Sequence, residues 1–200
     1  MFMHDVLDNG ETVQFVVSGV TDEEWGEGEW SKKLDSDALH KAVGDWSDTP
    51  IKKSMIEAML QNPELKTFAQ WHHKEDAPTY AKGHVCVMGN TAYCTTPWQG
   101  SGAGQAFEDA MILETLLKEV RDATQLTAAF RAYDQARRPR TQRVIQSSQG
   151  TGLILCGRGP DIRLDVDKIR AALPQRWGFI HGQDQKKHKA DALAALREVV

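Results

Sequence analysis

The sequence has 200 residues, of which 40% are hydrophobic and 26% are charged, and its formal net charge is −4. This length and composition suffice to bury a core, which excludes wholesale disorder, and the acidic balance argues against a dedicated nucleic-acid-binding protein. There is no apolar run as long as a membrane span and no secretory signal pattern, so we expect a cytoplasmic protein; its three cysteines have no metal-site spacing, and we expect no metal.

The N-terminal part predicts a β-hairpin. Two β-prone runs, at residues 2–7 and 12–18, flank Asn9-Gly10, a pair that readily adopts the positive φ angles of a tight turn. A hairpin is only marginally stable alone, so we expect it to belong to a mixed sheet packed beside helices. The polar, tryptophan-rich residues 21–35 are predicted to be mostly loop.

Two amphipathic helices are predicted next. The first spans residues 36–46 with Ser36 as its N-cap, and the second opens at Thr49-Pro50 and ends at Asn62-Pro63. A short strand is predicted at residues 68–72. The expected apolar faces of the helices are Leu39, Ala42, Val43 and Trp46 on the first and Ile51, Met55, Ala58 and Met59 on the second.

The middle of the chain combines a strand, a loop, a glycine cluster and a helix. The apolar residues 85–88 end at Gly89 and are typical of a buried strand, and G-S-G-A-G at 100–104 opens a helix predicted over residues 102–120. Free N–H groups at a helix N-terminus, beside glycines, predict a cradle for an anion or cofactor, but the same glycines would equally permit close packing of helix on strand. The expected inner face of the helix is Ala103, Ala106, Phe107, Ala110, Leu113, Leu117 and Val120.

A second long helix is predicted over residues 126–148, bent near Pro139. Its basic residues are expected to form a solvated, ion-paired face, with Glu108 and Asp109 either as helix-capping residues or as ion-pair partners of Arg137 or Arg140. Residues 184–200 predict a charged amphipathic helix. The basic residues are Arg137, Arg138, Arg140 and Arg143, and the inward side of the last helix is expected to be Ala190, Leu193, Ala194 and Leu196.

The glycine-rich region closely resembles a flavin motif. The run G-H-V-C-V-M-G-N-T-A-Y at 83–93, then Pro97, then G-S-G-A-G-Q-A-F-E-D-A at 100–110, resembles the second flavin motif of the FAD-dependent aromatic hydroxylases, with the salicylate hydroxylase-like branch nearest. F-R-A-Y-D at 130–134, R-R-P-R at 137–140 and W-G-F-I-H-G-Q-D at 177–184 are similar to later segments of that family. The resemblance covers nearly the whole chain.

The resemblance implies an α/β (α+β) fold, the C-terminal portion of a flavin monooxygenase. It divides the chain into a partial substrate-binding region (residues 1–80), an FAD-contacting strand, loop and long helices (81–150), and a helical tail (151–200). The sequence contains no strand–GxGxxG–helix, so we expect the N-terminal half of the fold to be missing from this chain.

The resemblance also implies an FAD site. In the family's arrangement Asn90 would face the ribityl–pyrophosphate region, Pro97 would lie near the isoalloxazine ring, and backbone N–H groups would approach the pyrophosphate and the pyrimidine edge. Asn90 stands where the family has aspartate, and Tyr93 where it has histidine. Loss of the aspartate charge is expected to weaken FAD binding by about 1–2 kcal/mol. The residues expected to offer these N–H groups are Gly100, Gly102, Ala103 and Gly104.

The function implied is that of a monooxygenase of secondary metabolism. Such an enzyme uses FAD, NAD(P)H and O2 to hydroxylate an aromatic or polyketide-type small molecule. No catalytic residue can be assigned from this sequence. Two alternatives remain open: a truncated, non-catalytic binding module, and the C-terminal piece of a split enzyme completed by an N-terminal partner chain. A homo-oligomer is also compatible with the sequence.

Overall fold

A computed structural model describes residues 1–21, 23–44, 49–73 and 75–199. They form two compact units, Met1–Ala69 and Gln70–Val200. Helices predominate and the strands are short, which confirms the predicted α/β (α+β) class. The described strands pair as three separate two-stranded antiparallel sheets, without the mixed sheet expected around the hairpin. Among the described residues, no helix is both long and apolar enough to cross a bilayer.

The first unit opens with the predicted hairpin. Strand β1 (Phe2–Leu7) pairs with β2 (Thr12–Val17) in antiparallel register. The turn between them, Asp8–Gly10, has φ angles of 51°, 56° and 100° at its three residues. These positive values explain the Asn-Gly pair, because asparagine and glycine enter the left-handed region at little cost.

Two further strands in this unit depart from the predicted boundaries. Strand β3 (Ser31–Lys33) lies at the end of the predicted loop and pairs with β4 (Lys66–Phe68). The strand predicted at residues 68–72 therefore ends at Phe68 rather than beginning there. A three-residue ladder with a remote partner leaves little periodicity in the sequence to locate it.

The helices of the first unit are α1 (Ser36–Val43) and α2 (Pro50–Leu60). Helix α2 opens at Thr49-Pro50 as predicted, with Thr49 as its cap, but the predicted N-cap of α1 is wrong by one residue. Asp35 is the cap: its backbone is extended, and its carboxylate accepts a hydrogen bond from the N–H of Ala38 at 2.8 Å. Ser36 is already helical, so it cannot serve as the half-extended cap residue.

The core of the first unit is small. Leu39 and Val43 of α1 are buried as predicted, but on α2 Ile51 is 61% exposed and Ile56 is buried instead. The predicted face of α2 is therefore rotated toward Met55 and Ile56. Trp46, expected on the face of α1, lies outside the described residues.

The second unit is a helical bundle built on one long helix. Helix α5 (Leu126–Leu155) packs against α4 (Gly102–Leu117) and α7 (Gln185–Val199), and it also contacts α6 (Val166–His181). Helix α4 ends before the predicted residue 120, and α5 continues past the predicted residue 148. The buried core of this unit is Tyr80, Ala92, Tyr93, Ile112, Leu116, Ala129, Ala132, Tyr133, Ile145, Ala192 and Leu196.

The predicted inner face of α4 is wrong at Phe107, which is 77% exposed, and at Leu117, which is 40% exposed, whereas Ile112 and Leu116 are fully buried. Leu113 and Val120 of the predicted face are partly buried and pack against the core. The helix is rotated so that it buries polar groups on the same side as Ile112 and Leu116. Ion pairs of Glu108 and Asp109 with arginines of α5 compensate for the burial of this polar stripe. The buried polar residues of α4 are Gln105, Glu108 and Asp109.

Two other expectations in this unit are corrected. The buried strand predicted at residues 85–88 is only a short edge strand, β6 (Val85–Cys86), paired with β5 (Ala81–Lys82), and Val85 is 66% exposed. On α7 the predicted inward residues Ala190 and Ala194 are exposed. The helix buries His188 and Ala192 instead, together with Leu196, which is buried as predicted. These three residues are spaced by four and form one stripe.

Candidate functional site

The predicted site residues all lie in the segment that runs from β6 to the start of α4. Gly89, at φ 59° and ψ −148°, turns the chain into the short helix α3 (Asn90–Tyr93). That backbone conformation is essentially restricted to glycine. Asn90 begins α3 and is exposed, whereas Tyr93 at its end is buried.

A turn at Pro97–Gln99 follows and is fastened to α5 and α6. Gln99 donates from Nε2 to Ser147 Oγ at 3.1 Å and to the carbonyl oxygen of Arg176 at 2.8 Å. The indole N–H of Trp177 donates to the carbonyl oxygen of Gln99 at 3.2 Å. Pro97 itself is exposed at the start of the turn. Hydrogen bonds to two helices therefore hold the loop that precedes the glycine cluster.

The N-terminus of α4 lacks a side-chain cap. Ser101 occupies the cap position, but its hydroxyl donates to the carbonyl oxygen of Gln99 at 3.0 Å. The N–H of Gln105 donates to the carbonyl of Ser101, which leaves the N–H groups of Gly102 to Gly104 without an intrahelical acceptor. Helices α1, α2 and α6, by contrast, each have a capping side chain.

The glycines at this helix end face open space. A Cβ built on Gly100 or Gly104 would meet no atom within 4 Å, and one on Gly102 would meet only Thr95 Cγ2 at 3.9 Å. Close packing of helix on strand therefore does not explain these glycines. Gly100 has a further requirement, because its φ of 62° favours glycine. The backbone of this turn is accessible to a ligand.

A cavity of about 450 Å³ adjoins the turn. Gly100, Ser101 and Gly104 line one side, and side chains of α4 and α6 line another. Its apolar wall is formed by Phe107, Met111 and Ile180. Asn90, Pro97, Gly102 and Ala103 do not line this cavity, although Gly102 and Ala103 belong to the same helix end.

Behind the helix end lies a buried polar group that we call the Arg137 cluster. Arg137 is fully buried and its five N–H donors all have acceptors. Nε donates to Asp109 Oδ1 at 2.7 Å and Nη1 to Glu108 Oε2 at 2.5 Å. The cluster comprises Gln105, Glu108 and Asp109 of α4, Arg137 and Arg140 of α5, and His188 of α7.

The other members of the cluster complete this arrangement. Nη2 of Arg137 contacts the backbone and side-chain oxygens of Gln105 at 3.1 and 3.0 Å, and Nη1 lies 3.3 Å from His188 Nε2. Arg140 contacts Glu108 from Nε at 2.6 Å and from Nη2 at 2.7 Å. Two carboxylates and two guanidinium groups balance in charge, so the acids do not cancel the positive end of the α4 dipole.

The pKa values of two members follow from this environment. Burial alone would raise the pKa of Glu108, but hydrogen bonds and charges from Arg140 and Arg137 outweigh it and lower that pKa to about 2. Burial, followed by the charge of Arg137, lowers the pKa of His188. Its imidazole is then neutral at pH 7 and can accept the hydrogen bond from Arg137.

These contacts confirm the predicted ion pairs of Glu108 and Asp109, but the expectation of a solvated basic face is wrong for Arg137. Once two carboxylates, the backbone and side-chain oxygens of Gln105 and the imidazole of His188 meet all its donors, a guanidinium can be buried at tolerable cost. His188 was missed, because a single histidine in a charged helix has no distinguishing pattern. The adjacent acids on α4 and the arginines spaced by three on α5 were the available signal.

The geometry fits FAD. An uncapped helix N-terminus with open backbone N–H groups beside glycines suits an anionic pyrophosphate. The FAD binding domain family matches residues 24–148 of this chain.

Individual proteins that are similar in sequence to this chain are monooxygenases or hydroxylases by name. The chain is 29% identical over 200 residues to the 6-methylsalicylate 1-monooxygenase atA of Aspergillus terreus, covering 100% of this chain and 44% of that protein. It is 31% identical over 168 residues to a salicylate hydroxylase of Pseudomonas putida, covering 84% of this chain and 37% of that protein.

A solved structure, a salicylate hydroxylase substrate complex, superposes with a TM-score of 0.79 at 25% identity, over 96% of this chain and 46% of that chain. The chain thus spans less than half the length of these relatives. Matched over most of its length by the family and by this fold, the chain belongs to the FAD binding domain family of salicylate hydroxylase-like flavin monooxygenases.

Proposed function

We propose that this chain forms the part of a flavin-dependent monooxygenase that contacts the flavin's pyrophosphate and ring. The observation that carries the proposal is the uncapped N-terminus of α4, whose glycines face open space in a family that binds FAD. The N–H groups of Gly102, Ala103 and Gly104 would donate to flavin oxygens. The positive helix end would favour negative charge there.

The remaining predicted contacts follow from the same placement. Asn90 would offer its side-chain carbonyl to a ribityl hydroxyl, and Pro97, in the turn held by Gln99, would lie against the ring. Gly100, at φ 62°, would let the backbone approach the flavin without a side chain between them.

The proposed reaction is the hydroxylation of an aromatic or polyketide-type small molecule. When bound, FAD supplies the redox chemistry, with NAD(P)H as the proposed reductant and O2 as the source of the inserted oxygen. The names of the relatives, which refer to salicylate and 6-methylsalicylate, support an aromatic substrate. The role of this chain is to bind and orient the flavin and to shield it from water.

The test is an FAD titration followed by flavin fluorescence. Gly102→Leu would place a side chain in front of the helix end, where a Cβ meets only Thr95 Cγ2 at 3.9 Å, and we expect it to weaken FAD binding at least tenfold. Gly178→Leu is the matched control, since Gly178 also lies in a helix and a Cβ there meets nothing within 4 Å. Equal affinity of the two variants, or no FAD binding by the wild-type chain, would contradict the proposal.

A second candidate, a module that binds a partner polypeptide, is favoured by one observation. Ala103, Phe107, Ala110 and Leu117 form an exposed apolar stripe along α4. More than half of the matched salicylate hydroxylase fold lies outside the match. We propose that this other part of the fold, with its dinucleotide-binding region, is the partner that covers the stripe.

This candidate can be tested by mixing purified components. The chain would be combined with a polypeptide comprising the unmatched part of the Pseudomonas putida salicylate hydroxylase, and the mixture examined by size-exclusion chromatography. We expect a complex with the wild-type chain and with Leu153→Glu, a control at an exposed site on α5, but not with Phe107→Glu. No complex, or a complex insensitive to Phe107→Glu, would overturn this candidate.

A further inference from the structure

We propose that Asp109 is a positioning residue that fixes the α3 turn, residues 89–93, and thereby holds Asn90 in place for the flavin. The inference rests on the proposed function, because it concerns the same FAD site. Asp109 itself is fully buried behind the turn and presents no surface to a ligand. Its effect on the flavin would therefore pass through the backbone that it holds.

The carboxylate of Asp109 joins the two ends of the α3 turn. Its Oδ2 accepts a hydrogen bond from the N–H of Gly89 at 2.9 Å and another from the hydroxyl of Tyr93. Its Oδ1 accepts from Nε of Arg137, which anchors it to α5. Asn90 lies between the two tethered ends and is exposed, so its side chain is free to face a ligand while its backbone is fixed.

The partners of the Asp109 carboxylate are a backbone N–H, a phenol and a guanidinium, and each of them donates a hydrogen bond to it. Burial and the neighbouring Asp109 raise the pKa of Tyr93, so its hydroxyl stays protonated and donates. An asparagine at position 109 would turn its NH2 group toward at least one of these donors, and one tether would be lost.

Gly89 needs the hydrogen bond to Asp109 to hold its conformation. Its observed φ of 59° and ψ of −148° are one choice among many, since glycine has no side chain to exclude the others. The hydrogen bond from its N–H to Asp109 selects this conformation. Because Asn90 follows directly, the direction in which its side chain leaves the backbone depends on that choice.

A matched pair of tyrosines separates positioning from simple stability. Tyr80 and Tyr93 are both buried, and their rings lie 6.0 Å apart. Tyr93→Phe removes the bond to Asp109. Tyr80→Phe removes a buried hydrogen bond between its hydroxyl and Thr141 Oγ1 at 2.7 Å, which does not touch the α3 turn. Both variants should lose stability in urea, Tyr93→Phe more so because its lost bond is to a carboxylate, and the two are therefore compared by local readouts at the turn.

The experiment measures FAD affinity by fluorescence and amide hydrogen exchange in residues 89–93 for both variants. We expect Tyr93→Phe to weaken FAD binding about tenfold and to speed exchange in the turn, with Tyr80→Phe close to wild type in both. Gly89→Ala, which strains the turn without a steric clash, is a second variant expected to weaken FAD binding.

The outcomes distinguish the two claims. If the wild-type chain binds FAD but Tyr93→Phe binds it with the same affinity as Tyr80→Phe, the positioning role of Asp109 is overturned and the proposed function stands. Unchanged exchange in residues 89–93 of Tyr93→Phe overturns the tether directly, without reference to FAD. If the wild-type chain binds no FAD, the proposed function fails and this inference fails with it.

Discussion

The indole of Trp98 lies directly against Gly152 of α5, so closely that a Cβ built at position 152 would stand 2.6 Å from Trp98 Cδ1. Glycine inside a helix costs stability relative to alanine, yet here it makes room for the ring. Trp98 belongs to the turn that precedes the glycine cluster. The backbone carbonyl of Thr96, two residues before it, accepts a hydrogen bond from the hydroxyl of Ser148, which lies one helical turn before Gly152 in α5. The position of the candidate flavin loop therefore depends on a missing side chain in another helix.

Gly152→Ala should destabilise the protein. The added methyl group must displace Trp98 or bend α5, which we expect to lower the free energy of unfolding by about 1–3 kcal/mol. Gly178→Ala is the control, because that position is open and alanine favours the helix by up to about 1 kcal/mol. Urea unfolding of the two variants should move in opposite directions, and a stable Gly152→Ala protein would show that Trp98 adapts freely.

Arg137→Met should be severely destabilising. Removing the guanidinium leaves the fully buried carboxylate of Asp109 without its charged partner and takes from Glu108 one of its two, at an expected cost of about 3–5 kcal/mol. Arg143→Met on the same helix removes an exposed cation stacked 4.1 Å from the ring centre of Phe179, and should cost no more than about 1 kcal/mol. Chemical denaturation measures both, and similar losses would refute the distinction.

Stability should fall in two steps as the pH is lowered. The pKa of His188 is lowered on folding, so the unfolded chain takes up a proton first and stability is lost as pH falls below about 6.5. The pKa of Glu108 is also lowered, to about 2, so its contribution is complete above about 4.5 and is lost as pH falls from there toward 2.

The two steps can be assigned by substitution. His188→Gln keeps an oxygen near the position of Nε2 and should remove the slope that begins near pH 6.5, while leaving the more acidic step in place. Urea unfolding between pH 3 and pH 8 provides the measurement. A pH profile identical to that of the wild-type protein would show that His188 is not the group responsible.

Two apolar residues of α4 should respond in opposite ways to truncation. Leu116→Ala opens a cavity in the core and should cost about 2–5 kcal/mol, whereas Phe107→Ala, at a side chain that is 77% exposed, should change stability by no more than about 0.5 kcal/mol. Phe107→Ala should also reduce the binding of the apolar dye ANS. A large loss of stability in Phe107→Ala would mean that this ring is covered in solution.

Local chemistry made several features predictable. The Asn9-Gly10 turn, the Thr49 cap and the helix that follows the glycine cluster each depend on residues adjacent in the chain. The motif at residues 83–110 also predicted the family, because the spacing of its glycines and of Pro97 is typical of a loop and helix end that bind a cofactor. The ion pairing of Glu108 and Asp109 was likewise predictable from the acids and the arginines.

The sequence by itself therefore determined the hairpin, most of the helices, the family and the candidate flavin loop, but not the short strands β3 to β6. Only the tertiary structure decided which face of α4 is buried, because the apolar spacing favoured Phe107 while the ion pairs with α5 turned Glu108 and Asp109 inward. Burial of Arg137 depends on acceptors that α4 and α7 bring to α5, and residues far apart in the chain leave no local pattern that predicts this contact.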